Sequence, residues 1–103
     1  MQNKIVKCEK LNISNTNPFT LIAGPCQLEN EKHALDVASE LNEITKKLNI
    51  GLIYKTSFDK ANRTSLKGKR GAGLDKALPV FDKIRKSLGI PVLTDVHTID
   101  QCE

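Results

Sequence analysis

Along residues 19–96 the apolar side chains change their spacing repeatedly, and that alternation limits the folds open to the chain. Phe19-Thr20-Leu21-Ile22-Ala23 is a short apolar run closed by Gly24-Pro25, the pattern of a buried strand. From Asn30 the period lengthens. Ala34, Leu35, Val37, Ala38, Leu41, Ile44 and Leu48 recur three or four apart, which marks one face of a helix. Asn30 is placed to cap that helix, and Lys46 and Lys47 suit the negative end of its dipole. Asn49-Ile50-Gly51 breaks it, and residues 52–57 supply β-branched and aromatic side chains for a second strand. Leu74, Ala77, Leu78, Phe81, Ile84 and Leu88 restore the helical spacing; Pro79 must sit near the first turn or kink the helix, and Gly89 stops it. Residues 91–96 read as a third strand and Thr98 onward as the opening turn of another helix. Ahead of these, Ile5, Val6, Leu11 and Ile13 around Cys8-Glu9-Lys10 suit a short hairpin.

Strands that start about 30 to 40 residues apart with a helix between them are parallel βα units. Parallel strands bury both faces, and two helices cannot cover three such strands on both sides. The expected fold class is therefore α/β: the N-terminal part (hairpin, about three strands and two helices) of a (β/α)8 TIM barrel. On this expectation residues 1–103 are a portion of one barrel domain, cut at the start of the third barrel helix, and alone would fold poorly. A doubly wound sheet is the rival, but the first βα turn, Gly24-Pro25-Cys26-Gln27, lacks a GxGxxG fingerprint.

Composition narrows the partners. Sixteen Lys+Arg against 12 Asp+Glu give a net charge of +4, which favours anionic ligands. Nucleic acid is disfavoured, because Phe19, Tyr54, Phe58 and Phe81 are too few aromatics for a stacking platform. Cys8, Cys26 and Cys102 form no CxxC pair, so neither a disulfide framework nor a structural zinc site is expected. No apolar run approaches the roughly 20 residues of a membrane span. The N-terminus has no secretory pattern, so the expected compartment is the cytoplasm.

Each expected strand ends in chemistry: Cys26 after the first, Lys55 and Ser57 after the second, Asp95 and His97 after the third. In a parallel barrel these ends share one face, where residues distant in sequence converge. Cys26 with His97 on another strand end suits a divalent cation, although a free cysteine is more often a small buried hydrophobe. His97 can ligate, carry a proton or simply hydrogen-bond, whereas His33 among charged neighbours reads as a surface group. The run from Lys55 to Ser65 interleaves Lys60, Arg63, Asn62, Thr64 and further hydroxyls. Lysine point charges, an arginine fork and hydroxyl donors are what phosphate recognition requires. A solvated basic loop is the alternative.

Four motifs in order, Leu21-Ile22-Ala23-Gly24-Pro25-Cys26, Lys55-Thr56-Ser57-Phe58-Asp59-Lys60-Ala61-Asn62-Arg63, Arg70-Gly71-Ala72-Gly73-Leu74 and Thr94-Asp95-Val96-His97, resemble the 3-deoxy-D-manno-octulosonate 8-phosphate synthase family. These enzymes are also called 2-dehydro-3-deoxyphosphooctonate aldolases. The resemblance implies a cytoplasmic, homotetrameric (β/α)8 enzyme that condenses phosphoenolpyruvate with D-arabinose 5-phosphate for lipopolysaccharide synthesis. It implies one divalent metal cation, of Mn, Fe or Zn type, with Cys26 as a ligand and a His, a Glu and an Asp from later strands completing the set. Lys55, Ser57 and Lys60 would line the phosphoenolpyruvate site, the lysines assisting proton transfer. Asn62 would meet the pentose phosphate, Arg63 and Thr64 would hold its 5-phosphate, Asp95 would bond the sugar and His97 would lie near the metal and its water. The alternatives are the related synthase that uses erythrose 4-phosphate, whose loop typically reads Lys-Pro-Arg-Thr-Ser, and a non-catalytic basic phosphate- or nucleic-acid-binding module.

Overall fold

The computed structural model describes residues 2–58 and 73–103. The basic run at 59–72, with Lys60, Asn62, Arg63 and Thr64, lies outside the described residues. The hairpin forms as expected: β1 (Val6–Cys8) pairs antiparallel with β2 (Leu11–Ile13), Val6 opposite Ile13. Its turn holds Glu9 at φ 52°, a left-handed position that is cheap for glycine and costly for a long side chain.

Three further strands, β3 (Thr20–Ala23), β4 (Gly51–Lys55) and β5 (Val92–Leu93), make a parallel sheet in the order β3-β4-β5. Ile22 lies beside Ile53, Ala23 beside Tyr54 and Lys55 beside Leu93. The helices α1 (Glu31–Leu48) and α2 (Leu74–Leu88) pack on each other and on the sheet. Neighbours in parallel register share a face. Leu21, Leu52, Tyr54 and Val92 therefore belong to one face, where they meet Ala34, Ala38, Phe81 and Ile84 in the core. The small side chains of Ala34 and Ala38 let α1 approach the sheet closely, and Tyr54 and Phe81 fill the space beside them. The other face carries Ile22, Ile53, Lys55 and Leu93; Ile22 is 55% exposed and Leu93 44%.

Local signals explain the ends of α1. The Asn30 side chain accepts the His33 N–H at 2.8 Å, and Asn49 closes the helix in a left-handed conformation at φ 57°. Its buried face departs from the expected one. Ile44 and Leu48 are exposed, and Asn42 and Thr45 are buried instead. The helix turns its small-residue stripe Ala34–Ala38 to the sheet, which brings Asn42 and Thr45 in behind it; the Thr45 hydroxyl is satisfied by the carbonyls of Leu41 and Asn42. His33 also differs from the expected surface group: it is half-buried, with Nδ1 sealed from solvent.

Pro79 lies inside α2, past its first turn, and the helix continues to Leu88. The third strand is shorter than expected. Only Val92–Leu93 keeps ladder geometry, and side-chain hydroxyls take over beyond it. The expected last helix is a 3-10 turn, Ile99–Cys102.

Candidate functional site

The carboxyl ends of β3, β4 and β5 lie side by side, and each carries polar chemistry. At β3 the chain turns through Gly24-Pro25. A Cβ on Gly24 would stand 1.8 Å from the Lys55 carbonyl oxygen, so only glycine allows β3 and β4 to close together here. Cys26 follows as a free thiol, exposed in this chain. Gln27 bridges Ser57 in parallel register, and the Leu28 N–H donates to the Ser57 carbonyl at 2.8 Å. Leu28 is buried in the core, so the segment bearing Cys26 is pinned at both ends.

At the end of β4 and just beyond it, Lys55 and Ser57 are two residues apart and share a side: Lys55 Nζ lies 3.3 Å from Ser57 Oγ. On β5's continuation, Asp95 and His97 repeat that spacing, with His97 Nε2 3.4 Å from Asp95 Oδ2. The pairs meet where Lys55 Nζ stands 3.8 Å from Asp95 Oδ1, an oxygen sealed from solvent. A hydrogen bond from Ser57 holds the Asp95 carboxyl below its ordinary range of 3.8; its own backbone, Lys55 and His97 act the same way, and burial opposes them. Asp95 is thus a carboxylate at neutral pH. The Lys55 ammonium has three donors, and Ser57 and Asp95 engage two at most.

His97 is held from three sides. Asp95 meets its ring, the buried Phe58 ring lies 6.2 Å away centroid to centroid at 43°, and the His97 N–H donates to Gln101 Oε1 at 2.8 Å. Gln101 Oε1 also takes the Thr98 N–H at 3.3 Å. Thr98-x-x-Gln101 has the spacing of a capping box, a signal visible in the sequence and not used there.

Of the expected site residues, Lys55, Ser57, Asp95 and His97 are therefore brought together, and Cys26 stands at the same sheet edge on β3. Lys60, Asn62, Arg63 and Thr64 lie outside the described residues, and among those described no group of three His, Cys, Asp or Glu side chains forms a metal cage. A cleft lined by Lys10, Leu11, Asn42, Thr45, Lys46 and Ile50 sits at the opposite, amino-terminal ends of the strands. It gathers lysine charge without a carboxylate or imidazole, so the chemistry belongs to the carboxyl edge.

An acid-base and cation cluster at the carboxyl ends of parallel strands is where α/β enzymes place their active sites. Comparison with known proteins agrees: the model of the DAHP synthetase I family matches residues 3–103, and the chain belongs to that family. Within it, the chain is 64% identical over 90 residues to the 2-dehydro-3-deoxyphosphooctonate aldolase of Chelativorans sp. (strain BNC1), an alignment covering 87% of this chain and 33% of that protein. It is 58% identical over 100 residues to the proteins of the same name from Brucella anthropi and Brucella ovis, covering 97% of this chain and 36% of each. The chain spans about a third of the length of these curated relatives.

Proposed function

We propose that the chain is the N-terminal third of a (β/α)8-barrel synthase that condenses phosphoenolpyruvate with D-arabinose 5-phosphate and water, giving 3-deoxy-D-manno-octulosonate 8-phosphate and inorganic phosphate. The observation that carries this reading is the convergence of Lys55, Ser57, Asp95 and His97 at one sheet edge, in a chain 58% to 64% identical to relatives named 2-dehydro-3-deoxyphosphooctonate aldolase. The exposure of Ile22 and Leu93 on the face turned away from the helices, with Ile53 buried between them, supports a barrel, whose remaining strands would cover it. A homotetramer in the cytoplasm, feeding lipopolysaccharide synthesis, belongs to the same proposal.

In the reaction the C3 carbon of phosphoenolpyruvate bonds to the aldehyde carbon of the pentose. Water adds at C2, and the C–O bond to the phosphate breaks. Both substrates are anions, so the site must offset their repulsion while holding them in attack geometry. Lys55, with Lys60, opposes the phosphate and carboxylate of phosphoenolpyruvate, and Ser57 fixes the Lys55 ammonium by hydrogen bonding. Asn62, Arg63 and Thr64 hold the pentose phosphate. Asp95, kept ionised, accepts a hydrogen bond from the sugar, and His97 orients or deprotonates the water. The exposed thiol of Cys26 suits a divalent cation of Mn, Fe or Zn type, with the other ligands supplied from outside the described residues. Such a cation supplies Lewis-acid polarisation and a template for the aldehyde or the water.

The test is phosphate release by the protein expressed from its complete gene, with phosphoenolpyruvate and each aldose phosphate in turn. Turnover with D-arabinose 5-phosphate is expected. Selective turnover of erythrose 4-phosphate would instead assign the aromatic-pathway reaction.

A further inference from the structure

We propose that Thr56 and Thr94 are positioning residues, a pair of hydroxyl clamps that set the spacing of Cys26, Ser57 and Asp95 from behind the site. Regular pairing of β3 with β4 ends at Ala23 and Tyr54, and that of β4 with β5 at Lys55 and Leu93. Cys26, Ser57 and Asp95 lie past these points, where the backbone pairing thins to the Thr56 N–H bond to the Leu93 carbonyl at 3.3 Å, the Gln27–Ser57 bridge and the Leu28 N–H bond to the Ser57 carbonyl. Two side-chain bonds reinforce it. The Thr56 hydroxyl donates to the Pro25 carbonyl at 2.8 Å, and the Thr94 hydroxyl donates to the Thr56 carbonyl at 2.8 Å. Thr56 is therefore tied to both neighbouring strands, giving through its hydroxyl and accepting through its carbonyl.

Each clamped residue immediately precedes a polar one: Pro25 before Cys26, Thr56 before Ser57, Thr94 before Asp95. Pro25 has no N–H to offer a ladder, so its carbonyl is the group through which β3's end can be held at that residue. Alternation along a strand puts Thr56 on the side opposite Lys55 and Ser57, and Thr56 is fully buried. It acts through the backbone and does not meet a ligand. The reading of Cys26, Ser57 and Asp95 as synthase residues is borrowed from the proposed function; the clamp geometry is independent of it.

The test measures no turnover, so failure of the proposed reaction would leave its result intact. Thr56→Val and Thr94→Val remove each donor at nearly constant volume, and Thr56→Ser and Thr94→Ser restore it. In the protein expressed from its complete gene, with chelator present, iodoacetamide labelling is followed on the tryptic peptide 11–32, whose one cysteine is Cys26. Amide exchange at residues 24–28 and 94–97 is compared with that of α1. We expect both valine variants to raise exchange at the strand ends about tenfold relative to α1, and Thr56→Val to change Cys26 labelling about threefold, with the serine variants within about twofold of wild type. If exchange accelerates uniformly, α1 included, or if both readouts stay at wild-type values, the threonines contribute only stability or nothing and the proposal is overturned. A variant that fails to fold is replaced by its threonine-to-alanine counterpart at lower temperature, judged by the same ratio.

Discussion

A methyl group on Gly24 would have to displace the Lys55 carbonyl, and with it the strand that carries Lys55 and Ser57. Gly24→Ala is expected to destabilise the protein by about 3 kcal/mol or more, as overpacking against rigid backbone does, measured by chemical unfolding. Tyr54 presents a second single-residue effect. Its ring is fully buried on the helix side of the sheet, its hydroxyl has no partner among the described residues, and burial pushes the phenol up to about 12. A phenol raised in the folded state leaves stability intact below its unfolded value near 10. Between there and about 12 the unfolded chain ionises and the folded one does not, so roughly 3 kcal/mol of stability is lost. Tyr54→Phe should abolish that alkaline loss and be neutral or stabilising at pH 7. Asp95 has the opposite sign. Its depressed carboxyl contributes stability above the unfolded value of 3.8, and the contribution disappears as pH falls through the lower folded value. Asp95→Asn should therefore flatten the acid limb of a stability-against-pH curve below pH 4 and leave the alkaline limb unchanged.

Among the elements, α2 contains a residue that works against it. Pro79 cannot donate to the carbonyl four residues back and crowds it, yet the helix runs through because Ala77, Phe81 and Ile84 bury its core face. Pro79 is exposed, so Pro79→Ala removes no core contact. It should stabilise by about 1–2 kcal/mol, the helical gain being partly offset by a freer unfolded chain, as read from thermal unfolding. In α1 the apolar period located the helix, and Asn30 caps it as expected. The period assigned Ile44 and Leu48 to the buried face, which in fact carries Asn42 and Thr45. Period gives the existence of a stripe, but the rotation of the helix about its axis is chosen by the shape of the sheet it meets. The two alanines fit where larger side chains would not.

At the scale of the molecule, the parallel sheet is covered on one side and bears Ile22 and Leu93 in the open on the other. The 103-residue chain alone is expected to self-associate through this face and its strand edges, seen as a mass above that of a monomer in light scattering. Ile22→Thr keeps β propensity while removing apolar surface, so it should shift the distribution toward monomer. A chain that stays monomeric would mean that this face does not drive association.

The order of strands and helices, the cap at Asn30, the break at Asn49-Ile50-Gly51 and the hairpin follow from the sequence alone, because period, capping and turn chemistry act over a few neighbouring residues. The motifs also singled out Cys26, Lys55, Ser57, Asp95 and His97. Tertiary structure alone decided that Lys55 and Asp95 stand 3.8 Å apart, that Thr56 and Thr94 clasp the strand ends behind them, and which face of α1 is buried. Those outcomes depend on register and on the fit of one surface to another, which are set by groups 30 to 40 positions apart in the chain and carry no local signature.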